Sequence, residues 1–238
     1  MLTALGVGGA TALGAILGFA ARGFALRCGS LIMSFASGIM LGSAVIGLIL
    51  PSLEAGGDLA PLITIPALFL GAVVLDLADK FLPEQILPCD DERGRSAMLF
   101  VIAIAIHNLP EGLAAGVGFG TGDTYEALFI AGGIALQNIP EGMVIIPPMI
   151  SAGIKPTRAL GYALATGFIE VIGTFIGYFA VNISSALLPF VLAFAGGIMI
   201  YVISCDISAR GGSRSASRES YALLLGFSLM LIFDFWLF

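Results

Sequence analysis

Apolar residues run through the chain in stretches of roughly 20 residues, the length of helix that crosses about 30 Å of hydrocarbon. Such stretches near 2–21, 31–50, 61–79, 97–119, 125–149, 157–180, 187–205 and 219–238 predict eight transmembrane helices. The punctuation between them is Pro51, Gly56-Gly57 and Pro61; Pro83 and Pro88; Gly120 to Asp123; Pro156; Pro189; and Gly211-Gly212. The first run starts at Leu2 with no basic segment before it and no convincing cleavage site, so a retained helix is expected. The pairs Gly14/Gly18, Gly38/Gly42, Gly112/Gly116 and Gly173/Gly177 lie four apart, the spacing of small residues where helices touch.

Composition agrees with the pattern. The 238 residues are 58% hydrophobic and 11% charged, with a mean hydropathy of +1.05. A water-soluble domain of this length needs more polar surface. The expected fold class is an all-α integral membrane protein, one transmembrane domain over 1–238, with the lipid bilayer as its partner. A net charge of −6 gives no reason to invoke nucleic acid.

The charges sort by side. Arg22 and Arg27 lie between the first two segments; Lys80, Arg93 and Arg95 follow the third; Lys155 and Arg158 follow the fifth; Arg210, Arg214 and Arg218 follow the seventh. These are all 10 basic residues, and all fall on one side. The opposite loops hold Glu54, Asp58, Asp123 and Glu126 without Lys or Arg. The excess of Lys and Arg makes the basic side cytoplasmic, so an even number of helices leaves both termini outside. Cys28, Cys89 and Cys205 map to the cytoplasmic side and form no paired zinc motif. They read as reduced thiols, or as a weak exit site near Cys205-Asp206 or Cys89 to Glu92. The short loops suggest a bacterial inner membrane. The sequence is silent on oligomeric state and leaves room for a homodimer.

Two helices carry polar residues in their middles. His107-Asn108-Leu109-Pro110-Glu111-Gly112 lies in the fourth segment and Gln137-Asn138-Ile139-Pro140-Glu141-Gly142 in the fifth, with four of six positions identical. Consecutive spans run antiparallel, so two copies of one motif imply a local pseudo-two-fold axis in the membrane plane, as in many secondary transporters. Residues at i and i+4 share a face and i+1 lies about 100° around. His107, Asn108 and Glu111 therefore converge, as do Gln137, Asn138 and Glu141. Pro110 and Pro140 each remove an N–H and free the carbonyl one turn before, at Ile106 and Leu136. Glu170 in the sixth segment and Met40 in the second lie at matching depth.

A carboxylate at the bilayer centre costs about 2.5–3.5 kcal/mol, so three cost on the order of 8–10 kcal/mol if uncompensated. Every Lys and Arg is assigned to the loops, which leaves protons or bound cations to balance Glu111, Glu141 and Glu170. One imidazole, three carboxylates, three amides and a thioether suit Zn, Fe(II), Mn or Co; calcium and magnesium favour all-oxygen sites. Blander readings stand beside this one: Asn108 and Asn138 as interhelical glue, Met40 as core filler.

The paired motifs and the Glu on the next helix resemble the ZIP family of zinc- and iron-transporting proteins, in its GufA-like branch. The resemblance spans essentially the whole chain. It implies a paired metal site, with His107, Glu111, Gln137 and Glu141 holding one ion near Met40. Asn108, Asn138 and Glu170, sharing Glu111 and Glu141, would hold a second. It implies three-two-three helices with inverted outer repeats, and alternating access by a block of the first, fourth, fifth and sixth helices. The cargo would be Zn2+ first, with Cd2+, Fe2+, Mn2+ or Co2+ open, moving into the cytosol. Asp234, Asp76 and Asp79 resemble acidic positions of the family. With Glu54 outside and Asp206 inside they form candidate entry and exit stations, or serve as ordinary snorkelling and capping residues. Many members have Asp where this chain has Asn138, and many have a His-rich loop between the third and fourth helices, where this chain has none. An intramembrane zinc protease is disfavoured: the HExxH pattern is absent and His107 is the single His. A structural scaffold leaves the three carboxylates unexplained.

Overall fold

The computed structural model describes residues 2–80, 92–120, 122, 124–183, 187–210 and 216–237. Cys89, Asp90, Asp91, Asp123, Gly211, Gly212 and Arg214 lie outside the described residues, as do the side chains of His107, Asp79, Glu92, Glu126 and Asp206. The described residues are almost entirely helical: α1 (Leu2–Ala20), α2 (Arg22–Ala44), α3 (Leu50–Ala55), α4 (Ala60–Lys80), α5 (Glu92–Gly120), α6 (Thr124–Ser151), α7 (Pro156–Ile183), α8 (Leu188–Arg210) and α9 (Ala216–Leu237). Six helical runs among them are long and apolar enough to cross a membrane: Arg22–Ala55, Gly57–Leu77, Ala127–Ser151, Pro156–Ala180, Leu188–Cys205 and Ser217–Trp236. Ala4–Ala20 is a shorter apolar helix.

The second rod departs from the expected 31–50. It begins at Arg22, with Ala21 alone between it and α1, because nothing between Arg22 and Ser30 breaks a helix except Gly23 and Gly29. It also runs through Pro51. A proline ring clashes with the carbonyl four residues back, and here one π-helical turn, Val45–Ile49, precedes it, with the Leu50 N–H reaching Val45. The chain turns at Gly56-Gly57, where Gly57 has φ +57°, a conformation that suits a residue without Cβ. Ser52 then ties this end together, donating to the Pro189 carbonyl at 2.7 Å and lying 2.8 Å from the Thr64 hydroxyl. Pro110 and Pro140 sit inside continuous α5 and α6.

Helix partners come in matched pairs. α1 packs on α6 as α7 packs on α5; α2 packs on α9 as α8 packs on α4; α2 meets α6 as α8 meets α5. The matching extends to residues. A Cβ on Gly14 would strike the Ile139 carbonyl, and one on Gly173 the Leu109 carbonyl. Gly18 faces the Met143 carbonyl as Gly177 faces that of Leu113. Gly38 faces the Leu223 carbonyl as Gly197 faces that of Leu68, and Gly226 faces that of Phe35 as Gly71 faces that of Phe194. Gly8 and Gly167 face each other. Gly8 and Gly167, Gly14 and Gly173, Gly18 and Gly177, and Gly38 and Gly197 are each separated by 159 positions, as are Thr11 and Glu170.

With lipid tails as apolar as leucine, such backbone approach is what makes helices associate. The apolar interior joins Met40, Leu48, Ile134, Met199 and Met230. α4 and α9 turn Leu62, Phe69, Leu225, Phe235 and Trp236 outward, as a lipid-facing surface requires.

Gly116 and Gly161 test the packing. A Cβ on Gly116 meets the Thr174 carbonyl and the Tyr178 amide, whereas Gly161 faces open space. Gly116→Ala should cost about 1–3 kcal/mol through overpacking. Gly161→Ala should be neutral or stabilise by about 0.5–1 kcal/mol. Thermal melting of the two variants in detergent checks this, and equal melting points would remove close α5–α7 contact from the account.

Candidate metal centre

The glycine that ends each motif sets the geometry. A Cβ on Gly112 would strike the Glu170 carbonyl, and one on Gly142 would strike the Thr11 carbonyl. Gly112 thus lets α7 lie against α5 beside Glu111, and Gly142 lets α1 lie against α6 beside Glu141. Four helices converge where two motifs predicted a site.

Six predicted residues are buried there. Asn108, Gln137, Asn138 and Glu170 have 0% exposure, and Glu111 and Glu141 have 1% and 3%. Gln137 Nε2 donates to Glu111 Oε1 at 2.8 Å, which links the two motifs across α5 and α6. Asn138 Nδ2 donates to Glu170 Oε2 at 2.7 Å and, more weakly, to the Val7 carbonyl at 3.3 Å. The Thr11 hydroxyl donates to Glu170 Oε1 at 2.6 Å. Among the described residues no Lys or Arg pairs with any of the three carboxylates.

The atoms left over matter as much as the bonds. Asn108 Oδ1, Glu111 Oε2, Gln137 Oε1 and Asn138 Oδ1 are buried without a hydrogen-bond partner among the described residues, and so is Asn108 Nδ2. Buried polar atoms are nearly always partnered, and leaving one unsatisfied costs about 1–3 kcal/mol. Each amide of the second motif spends its N–H groups on a carboxylate of a neighbouring helix, which turns its oxygen the other way. The result is a set of oxygens with no proton directed at them, a donor set suited to a cation. No three His, Cys, Asp or Glu side chains gather closely enough among the described residues to hold an ion by themselves. The His107 backbone precedes Asn108 on α5.

The other predicted residues lie apart. Met40 is buried on α2 in the apolar interior, and Met199, which stands to α8 as Met40 stands to α2, is buried in the same cluster. Glu54 is exposed on α3, and Asp234 is half-buried near the end of α9. Asp76 is engaged: the Lys80 ammonium donates to it at 2.6 Å and the Tyr201 hydroxyl at 2.7 Å. Asp206 lies on α8 next to the exposed Cys205. Cys28 and Cys205 are free thiols.

Thr11 was missed by sequence reasoning. A single hydroxyl in the middle of an apolar helix was the available signal, together with its place 159 positions before Glu170. The Val7 carbonyl, one turn before, left no signal because every residue has one.

Comparison with known proteins identifies relatives of this chain. A family described as ZIP zinc transporter matches residues 83–234. The zinc transporter GufA of Myxococcus xanthus is 36% identical over 207 residues, covering 81% of this chain and 81% of that protein. The zinc transporter ZIPB of Bordetella bronchiseptica is 33% identical over 243 residues, covering 94% and 77%. The zinc transporter ZIP11 of Homo sapiens is 41% identical over 147 residues, 59% of this chain and 43% of its own length. The chain belongs to the ZIP family, as a GufA-like member of a group of membrane transporters that are not enzymes.

Proposed function

We propose that this protein carries Zn2+ across the membrane into the cytosol, through a site between α5 and α6 at the bilayer midplane. The observation that carries the reading is the cluster of unpartnered oxygens on Asn108, Glu111, Gln137 and Asn138, buried among carboxylates that no Lys or Arg of the described residues balances. His107, Glu111, Gln137 and Glu141 hold the ion, with Met40 nearby. Asn108, Asn138 and Glu170 line the neighbouring position. One imidazole among oxygens also admits Cd2+, Fe2+, Mn2+ and Co2+. That relatives are named zinc transporters favours zinc.

The matched contacts support an inverted repeat. α1 to α4 (α2 and α3 being one rod) correspond to α7 to α9, with α5 and α6 between them, in a three-two-three order of eight spans. The same contacts support alternating access. α1, α5, α6 and α7 pack on one another, as do α2, α4, α8 and α9, and the two groups meet through α2 with α6 and α5 with α8. Shifting the first group carries the whole site with it, because Glu111, Glu141, Glu170 and Thr11 all belong to that group. Glu54 and Asp234 at the outer end and Asp206 at the inner end serve as stations for entry and exit. Asp76 does so only after releasing Lys80 and Tyr201.

Uptake of Zn2+ and Cd2+ into proteoliposomes tests the function. Glu111→Ala and Glu141→Ala, at equal insertion, should each lower the initial rate by more than about ten-fold, a loss already reached when only an outer partner of a metal ligand is removed. Metal that binds the unaltered protein but never crosses would overturn the transport reading.

Orientation is tested with the native thiols. Cys28, Cys89 and Cys205 all belong to the basic side, so a membrane-impermeant maleimide should label inside-out vesicles of the producing bacterium and leave right-side-out vesicles unlabelled. Labelling from the outside would reverse the assignment of both termini.

A further inference from the structure

Among the described residues, Glu170 differs from the other two carboxylates in having both oxygens engaged. Oε1 takes the Thr11 hydroxyl at 2.6 Å and Oε2 takes the Asn138 amide at 2.7 Å. Glu111 Oε2, in contrast, has no partner among the described residues. Asn138 cannot turn its oxygen to where its nitrogen is. Its Nδ2 faces two acceptors, Glu170 Oε2 and the Val7 carbonyl, and an oxygen there would be repelled by both. Val7 and Thr11 are one turn apart on the buried face of α1, and α1 is brought within reach by Gly14 against α6 and by Gly8 against Gly167.

We propose that Thr11 and Asn138 take the place of a second metal ion, so that the protein binds one divalent ion at its midplane and Glu170 is a positioning residue. The two hydrogens directed at Glu170 occupy the oxygen lone pairs that a cation would use. Glu111 and Glu141 together carry two negative charges, which one divalent ion neutralises, while Glu170 lies between its two hydrogen-bond donors. A second ion would find both oxygens of Glu170 engaged and a neutral amide at Asn138 where a carboxylate would attract it more strongly. An Asp at 138 would lack the N–H2 and add a charge, giving four carboxylates for two ions. The Thr11–Glu170–Asn138 link also joins α1, α6 and α7, so it holds together the helices proposed to move as a unit.

The inference rests on the proposed metal site, and the test separates the two. Purified protein in nanodiscs is equilibrated with Zn2+ or Cd2+, and bound metal per chain is measured by mass spectrometry alongside calorimetric titration. The expected counts are one for the unaltered protein, one for Glu170→Gln at weakened affinity, and two for Asn138→Asp combined with Thr11→Val. Thr11→Val alone removes a hydroxyl with little change of shape and serves as the control for folding. Two ions on the unaltered protein, with one lost in Glu170→Gln, would overturn the proposal. So would a count of zero in Glu170→Gln that folds, since Glu170 would then be a ligand. A double variant that folds and stays at one ion would show that these two hydrogens are not what closes the second position. No metal on the unaltered protein would sink the site itself, and the inference with it.

Discussion

A carboxylate buried among apolar helices needs compensation, and among the described residues no Lys or Arg side chain supplies it to Glu111, Glu141 or Glu170. Much of the structure follows from that constraint. Glu111 is steadied by the amide of Gln137, and Glu170 by Thr11 and the amide of Asn138. Each of those donors sits on a different helix from the acid it serves. The acids therefore bind helices together even though each is expensive to bury. The amide oxygens, released by the same bonds, complete the donor set of the proposed metal site. Replacing one of these acids would change the pairing of helices as well as the charge between them.

The close helix contacts make those bonds reachable. Gly112 and Gly142 each follow an acid and each admit a neighbouring backbone. A larger residue at either position would push α7 or α1 outward by more than a hydrogen bond can stretch. Packing and chemistry are thus set by adjacent residues, the acid and the glycine after it, twice over. The matched contacts of the outer helices have the same character: glycine meets carbonyl in α2 with α9 and again in α8 with α4.

The helical class and the membrane setting were legible because hydropathy is a bulk property of each segment. The two motifs were legible because polar residues in such segments stand out and because they occur twice. Other features were hidden for physical reasons. Thr11 is one mildly polar residue, and its importance depends on which helix lies opposite, which no local pattern records. Its correspondence with Glu170 is masked because a hydroxyl and a carboxylate do not look alike in sequence, and glycines four apart are common in membrane helices. The start of α2 at Arg22 escaped because charged residues read as loop, although a helix can begin beyond the hydrocarbon. The engagement of Asp76 by Tyr201 joins helices distant in sequence, so an acid near a membrane face read as a station when it is also a tie.

The π-helical turn at Val45–Ile49 has a consequence of its own. One extra residue in a helical turn rotates everything beyond it by about 100° relative to an unbroken α-helix. Residues of α2 before the turn face α6, α9 and α8, while α3 beyond it keeps α8 and adds the start of α4. A single rod thus serves two sets of neighbours without a loop at membrane depth, where free backbone groups would be costly. Deleting one residue from the turn would restore an unbroken α-helix and swing every later side chain of the rod onto another face.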